Sequence, residues 1–180
     1  LGQGNLRLMM MLARLDITSQ DIEALNDTAD AFDFYFRTFL DDANWLGQPE
    51  FVKTMAIVSF FNTLKLSDEV LLDEISTSFD ISSDILNNFI NDLVKWELLS
   101  LLNKEVKVSE QNLGFYLFDK AFFKDDILNF QKLLEDFYPK YRSRFKECVI
   151  SSNNNFGHKN LVSKITTDLL SYLRKVELNL

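Results

Sequence analysis

Apolar residues recur every three or four positions along most of the chain, a spacing typical of amphipathic helices. The clearest block begins at Glu50, where the pattern predicts a helix that ends near Leu64. Two shorter helices follow, the first capped by Ser67 and the second by Ser83, and a tight turn at Asp80-Ile81-Ser82 joins them. The apolar positions of the third helix extend to Trp96. This block therefore contains three closely spaced helices.

Beyond the third helix the apolar period changes from helical spacing to alternation, which indicates strands. We predict strands at Leu98–Leu102 and Val106–Val108, with a turn at Asn103–Glu105. A second turn at Gln111–Gly114 leads to a third β run, Phe115–Phe118, and Asp119 then caps the next helix. Three helices followed by a small β ribbon are the order of a winged helix-turn-helix, which we predict for residues 50–123.

Helical segments flank this central unit on both sides. In residues 1–49 we predict a helix capped by Asn5, a second capped by Thr18 or Ser19, and a third amphipathic run at Ala31–Leu40. In residues 124–180 we predict a helix that Pro139 ends or kinks at Tyr138, a basic continuation, a loop at Ser151–Asn160 and a final helix from Leu161. The predicted fold is mainly α: a helical lead-in, a winged helix-turn-helix with a small β wing, and a C-terminal helical hairpin.

Composition narrows the function. The net charge of −8 repels phosphate backbones, and the third helix, Ser83–Glu97, holds three acids and Lys95 as its one base. DNA binding is therefore disfavoured, although not excluded. The single cysteine, Cys148, excludes a disulfide within the chain and fits a reducing compartment. No apolar run has the length of a membrane span and no signal peptide is visible, so we expect a cytoplasmic protein without membrane contact.

The sequence offers no complete active site. It contains no glycine-rich phosphate-binding loop ending in Gly-Lys-Ser/Thr, and Cys148 has no histidine nearby in the sequence. The sole histidine, His158, stands in a polar loop without neighbouring metal ligands. We therefore predict no catalytic residue, no metal site and no activity as a self-sufficient enzyme.

One arginine and one cluster of cations are candidates for contact with an anion. Arg7 lies in the first turn of its predicted helix, where the helix dipole disfavours a cation unless an anionic partner is present. The alternative interpretation is that Arg7 is a surface arginine whose aliphatic stem packs on apolar neighbours. The cluster is the predicted basic patch, Lys140, Arg142, Arg144 and Lys146. That patch is either a solvated face, a complement to the acidic lead-in, or a contact for an anion or nucleic acid.

Two short motifs and the order of elements resemble a known family. Gly4-Asn5-Leu6-Arg7-Leu8 resembles the sensor-2-like segment in the helical lid of AAA+-type ATPases. A helical lid followed by a winged helix and further helices resembles the STAND class of P-loop NTPases, the signal-transduction ATPases with numerous domains. The stretch Phe115–Phe123 looks like the end of their winged domain, where an aromatic strand runs into an acid and the next helix. Leu6 stands where the family usually has proline.

The resemblance implies roles for several residues. Arg7 would be the nucleotide-sensing residue, and Gly4 and Asn5 would shape the start of its helix. Residues 1–49 would be the lid-like segment, and the ATPase core would lie outside this chain, which begins at Leu1 and which we expect to be part of a larger protein. We then expect no cofactor in this piece, ATP or ADP in the parent protein, and the ATPase core and a protein partner as contacts. The function implied is a non-catalytic regulatory one that couples nucleotide state to partner or sensor domains; the alternative is a winged-helix DNA-binding transcriptional regulator.

Overall fold

The computed structural model describes residues 28–41, 47–157 and 161–178. Within these ranges the chain is mainly helical and contains a small three-stranded antiparallel sheet, which confirms the predicted mainly α class. The helices are α1 (Thr28–Asp41), α2 (Pro49–Phe61), α3 (Glu69–Phe79), α4 (Ser83–Lys95), α5 (Gln111–Asp119), α6 (Phe130–Phe156) and α7 (Leu161–Leu178). The strands are β1 (Leu64–Lys65), β2 (Leu99–Leu102) and β3 (Glu105–Val108).

The amphipathic run predicted at the end of the lead-in is helix α1, as expected. Its apolar positions Ala31, Phe32, Phe36 and Leu40 are all buried. The Phe36 ring lies 4.9 Å from the ring of Tyr116 on α5, so α1 packs against the central unit. The two earlier predicted helices, with Gly4, Asn5 and Arg7, lie outside the described residues.

The three central helices are confirmed, with small shifts at their ends. Helix α2 starts at Pro49, whose ring suits the first turn of a helix. The caps of α3 and α4 lie one residue away from the predicted serines. Asp68 accepts a hydrogen bond from the Leu71 amide, and Ser82 accepts one from the Ile85 amide. Trp96, predicted as the last apolar position of this helix, is its C-cap residue and is 60% exposed.

The sheet confirms two predicted strands and corrects the third. Strands β2 and β3 form the expected hairpin, with Leu99 opposite Val108. The third strand is not Phe115–Phe118 but β1, which precedes α3 and pairs Leu64 with Val106. The strand order is β1-β3-β2.

Residues 115–118 belong to α5, and the predicted turn at Gln111–Gly114 is the first turn of that helix. Glu110 caps it by accepting a hydrogen bond of 2.6 Å from the Leu113 amide. The run is buried on all its sides, and burial of that kind removes the periodicity that separates a helix from a strand. Asp119 is not a cap. It lies where α5 passes into a π-helical turn, Lys120–Lys124.

The tail is a helical hairpin of α6 and α7. The helix is kinked as predicted, but the kink lies after Pro139 and not at Tyr138: α6 continues through Pro139 and has non-helical angles at Tyr141 (φ −124°, ψ 35°). The loop predicted from Ser151 is wrong up to Phe156, which is the last residue of α6. Cys148, Ser152 and Phe156 are buried at every fourth position, so one face of this polar stretch continues the helix.

One hydrophobic core joins the central unit to the tail. The Phe60 ring on α2 lies 4.8 Å from Phe145, and the Phe61 ring lies 5.1 Å from Tyr141 and 5.3 Å from Phe137, all on α6. Many of the phenylalanine side chains in the sequence pack in this part of the core. None of the helices in the described ranges is both long enough and apolar enough to cross a membrane.

Candidate functional site

The candidate site is the junction at which α6 of the tail meets α2 and α5 of the central unit. Just beyond the kink, Arg144 reaches the C-terminal end of α2. Its Nε donates to the Phe60 carbonyl at 2.9 Å, and one terminal nitrogen donates to the Ser59 carbonyl at 2.8 Å. The other terminal nitrogen pairs with Glu147.

This contact has a simple physical origin. The last carbonyls of a helix lack partners within the helix, and a guanidinium carries several fixed donors that satisfy them. The Arg144 side chain is only 17% exposed, so its charge-assisted hydrogen bonds are partly shielded from water. We call this contact the Arg144 clasp.

A polar cavity of about 390 Å³ lies beside the Arg144 clasp. Its walls come from the end of α2, from β2 and β3, and from the start of α5, and its polar residues are Ser59, Asn62, Ser100, Lys107, Ser109 and Gln111. Each guanidinium nitrogen of Arg144 already donates a hydrogen bond within the protein, and the carboxylate of Glu110 caps the start of α5. Lys107 is thus the cation left for an anion there, so the cavity is a joint between elements and not a formed phosphate site.

Gly114 sets how closely α5 approaches α2 at this junction. A Cβ built on Gly114 would lie 2.8 Å from the Ser59 hydroxyl oxygen and 3.3 Å from the Ser59 Cβ. Both distances are shorter than ordinary van der Waals contact, so a methyl group at this position fits only if Ser59 shifts. Glycine therefore allows the close approach of the two helices without a movement of Ser59, and it is not needed here for a special backbone angle.

The junction also contains two buried polar side chains, one on α5 and one on α6. Asp119, at the end of α5, is 3% exposed, and Ser152 on α6 is fully buried. Burial raises the pKa of the Asp119 carboxyl from its ordinary value of 3.8 to about 7; Lys124 and the Ser152 hydroxyl oppose that rise, whereas Asp125 adds to it. The charge at the junction of α5 and α6 therefore changes near neutral pH.

The structure does not bring the four residues of the predicted basic patch onto one surface. Lys140 pairs with Glu74 on α3 at 2.7 Å, and Arg144 forms the clasp. Arg142 and Lys146 are exposed on another side of α6, with the Arg142 guanidinium 5.6 Å from the centre of the Tyr138 ring. The predicted contact with an anion stays a prediction for these last two residues.

The exposed side of α4 carries Asp84, Asn88, Asn91 and Asp92. Lys95 pairs with Asp92 at 2.9 Å, so the one cation of this helix is already held by an acid. This arrangement does not favour contact with phosphates. DNA binding by α4 stays the alternative function, and it needs an experimental test.

The remaining chemistry is sparse in the described part of the chain. No group of three or more His, Cys, Asp and Glu residues there could hold a metal ion. Burial raises the pKa of the Cys148 thiol to about 12, which makes it a poor nucleophile. His158, Gly4, Asn5 and Arg7 lie outside the described residues, so their predicted roles stay predictions.

Sequence reasoning missed the importance of Asp119, which it treated as a helix cap. The available signal was its place as a lone acid inside the apolar stretch from Phe115 to Phe123. A single carboxylate in such a stretch is buried if the stretch is buried. Ser152 carried no comparable signal, because it stands among other polar residues.

The chain was compared with protein-family models, with curated proteins and with solved structures, and none of them matches it. The resemblance to signal-transduction ATPases therefore stays a prediction from the sequence motifs.

Proposed function

We propose that this chain is a non-catalytic regulatory part of a STAND-like ATPase that acts in the cytoplasm. Residues 50–123 form a winged helix that serves as a packing unit, and the tail couples the nucleotide state of the ATPase core to a partner or sensor domain. The order α2, β1, α3, α4, β2, β3 and the strand order β1-β3-β2 support the winged-helix interpretation.

The observation that carries the proposal is the joint between the central unit and the tail. The Arg144 clasp binds the end of α2, and the aromatic side chains of α2 pack on α6, with the Phe60 ring 4.8 Å from the Phe145 ring. Packed elements with few discrete arrangements transmit a displacement as a rigid body. A movement of α2 is therefore passed to the tail helices.

In this proposal the signal begins at Arg7, which senses the nucleotide phosphates from the lid. The lid-like segment, residues 1–49, ends with α1, whose Phe36 packs on Tyr116 of α5, so a displacement of the lid reaches the central unit. From there it passes through the Arg144 clasp to α6. Nucleotide exchange in the parent protein changes which surface of the tail a partner meets.

The first test is the coding sequence upstream of Leu1. We expect a glycine-rich phosphate-binding loop and an acidic Mg²⁺-binding strand there, because the proposal requires an ATPase core in the same protein. Their absence would overturn it. If they are present, hydrogen exchange of the parent protein with ATP and with ADP should differ at the amides around the Arg144 clasp, and Arg7→Ala should abolish the difference.

The alternative is a winged-helix transcriptional regulator that reads DNA with α4. The acidic face of that helix and its Lys95–Asp92 pair argue against it. An electrophoretic shift with mixed duplex DNA at low salt separates the two functions. Tight binding that weakens steeply with salt would favour the regulator.

A further inference from the structure

A groove with a mainly apolar floor runs between α6 and α7. Its volume is about 370 Å³, which falls within the range of about 300–1,000 Å³ that ligand pockets occupy. Its apolar walls are Phe130, Leu134, Tyr138, Val149, Ile165 and Leu169. The groove is open along one side, so a chain segment can lie in it.

Two cations border this groove on α6. Arg142 and Lys146 are one helical turn apart, both are exposed, and both line the groove. Within the described ranges neither forms an ion pair, whereas Lys132, Lys140 and Arg144 on the same helix each pair with an acid.

The acids nearest along the helix are already neutralised. Glu135 pairs with Lys175 of α7, and Glu147 pairs with Arg144. The border of the groove is therefore positive, although the whole chain has a net charge of −8. A local field of this sign selects an occupant that carries negative charge.

We propose that this groove binds an acidic amphipathic helix of a partner protein. The apolar side of such a helix lies on the floor between α6 and α7, and its carboxylates meet Arg142 and Lys146. The apolar floor favours a peptide over a nucleic acid, because a phosphate backbone has no apolar group to bury there. This binding needs no nucleotide and so goes beyond the proposed function. It can fail or succeed independently of an ATPase core.

The probe is a fluorescein-labelled peptide of about 14 residues, roughly four helical turns, with Leu at every third or fourth position and Glu between. Fluorescence anisotropy measures its binding to the 180-residue chain. A scrambled peptide of the same composition keeps the charge and loses the apolar face. A third peptide with Lys in place of every Glu reverses the charge. Only the first peptide should bind.

Two pairs of variants locate the binding. Arg142→Glu with Lys146→Glu should weaken it about tenfold or more, equivalent to about 1.4 kcal/mol, because attraction becomes repulsion. The control, Lys104→Glu with Arg174→Glu, makes the same change of charge at exposed positions outside the groove and should leave it unchanged.

The second pair tests the apolar floor. Leu169→Gln should weaken binding, because Leu169 lines the groove, whereas Leu170→Gln next to it should not. Thermal unfolding followed by circular dichroism verifies that each variant is folded.

Several outcomes overturn the proposal. These are no binding of the acidic peptide, equal binding of the scrambled peptide, or binding that the groove variants leave unchanged. Binding only to phosphatidylserine vesicles would assign the surface to a membrane. A dimer in sedimentation that Leu169→Gln dissociates would assign it to a second copy of the chain.

Discussion

Replacing Asp119 by Asn tests the buried carboxyl at the junction. Burial raises its pKa from 3.8 to about 7 in the folded protein. The folded state therefore holds this proton more tightly than the unfolded chain does. The contribution of Asp119 to the free energy of unfolding is therefore largest below pH 4 and is lost as the pH rises to about 7, where the folded carboxyl also ionises.

The size of the effect follows from the shift. Each pKa unit corresponds to about 1.4 kcal/mol, so a shift of roughly three units costs at most about 4 kcal/mol once the pH exceeds 7. Asparagine has nearly the same shape and carries no charge at any pH. The free energy of unfolding of the variant therefore lacks this part of the pH dependence. A change in hydrogen bonding at residue 119 alters that free energy by the same amount at every pH.

The assay is urea denaturation of the wild type and Asp119→Asn at pH 5, 6, 7 and 8, followed by circular dichroism. We expect the variant to gain about 3 kcal/mol relative to the wild type between pH 5 and pH 8. Asp73→Asn is the control, because Asp73 is an exposed acid of α3. A difference between Asp119→Asn and wild type that is the same at all four pH values would refute the reasoning, and so would a variant that loses stability relative to the wild type as the pH rises.

Three further predictions concern the same junction. Arg144→Ala should lower the free energy of unfolding, measured by urea denaturation, by about 2–3 kcal/mol, because two carbonyls lose a charged donor. The control is Arg142→Ala, which removes an exposed arginine of the same helix and should change this free energy little. Equal effects of the two substitutions would contradict the Arg144 clasp. Gly114→Ala should cost about 1–3 kcal/mol by overpacking, and adding Ser59→Ala should restore most of that loss; an additive double variant would show that the two residues do not clash. The Cys148 thiol should react with iodoacetamide at pH 8 only as fast as the protein unfolds, and rapid labelling of the native protein would show that it is not buried.

The success of sequence reasoning differed between elements for physical reasons. Helices α1, α3 and α4 each bury one face and expose the other, so their periodicity was visible. The hairpin of β2 and β3 was visible for a similar reason, because its strands alternate and its turn contains the polar residues Asn103 and Lys104. Helix α5 is buried on all sides, and its apolar run was mistaken for a strand.

Strand β1 was missed because two residues are too few to show a period. Leu64 and Lys65 become a strand only because β3 offers them an open edge to pair with. The basic patch shows a related effect of tertiary structure. Spacing along α6 placed four cations together, but the kink at Tyr141 and the neighbouring helices assign Lys140 to Glu74 and Arg144 to the end of α2.

By itself, the sequence determined the helical class, the order of the three central helices, the hairpin and the acidity of α4, because local propensity and alternation specify these without any partner. Only the tertiary structure decided the third strand, the burial of Asp119, the Arg144 clasp and the groove between α6 and α7. Each of these joins residues far apart in the chain. Their energies depend on which groups lose contact with water together, and no local pattern encodes that.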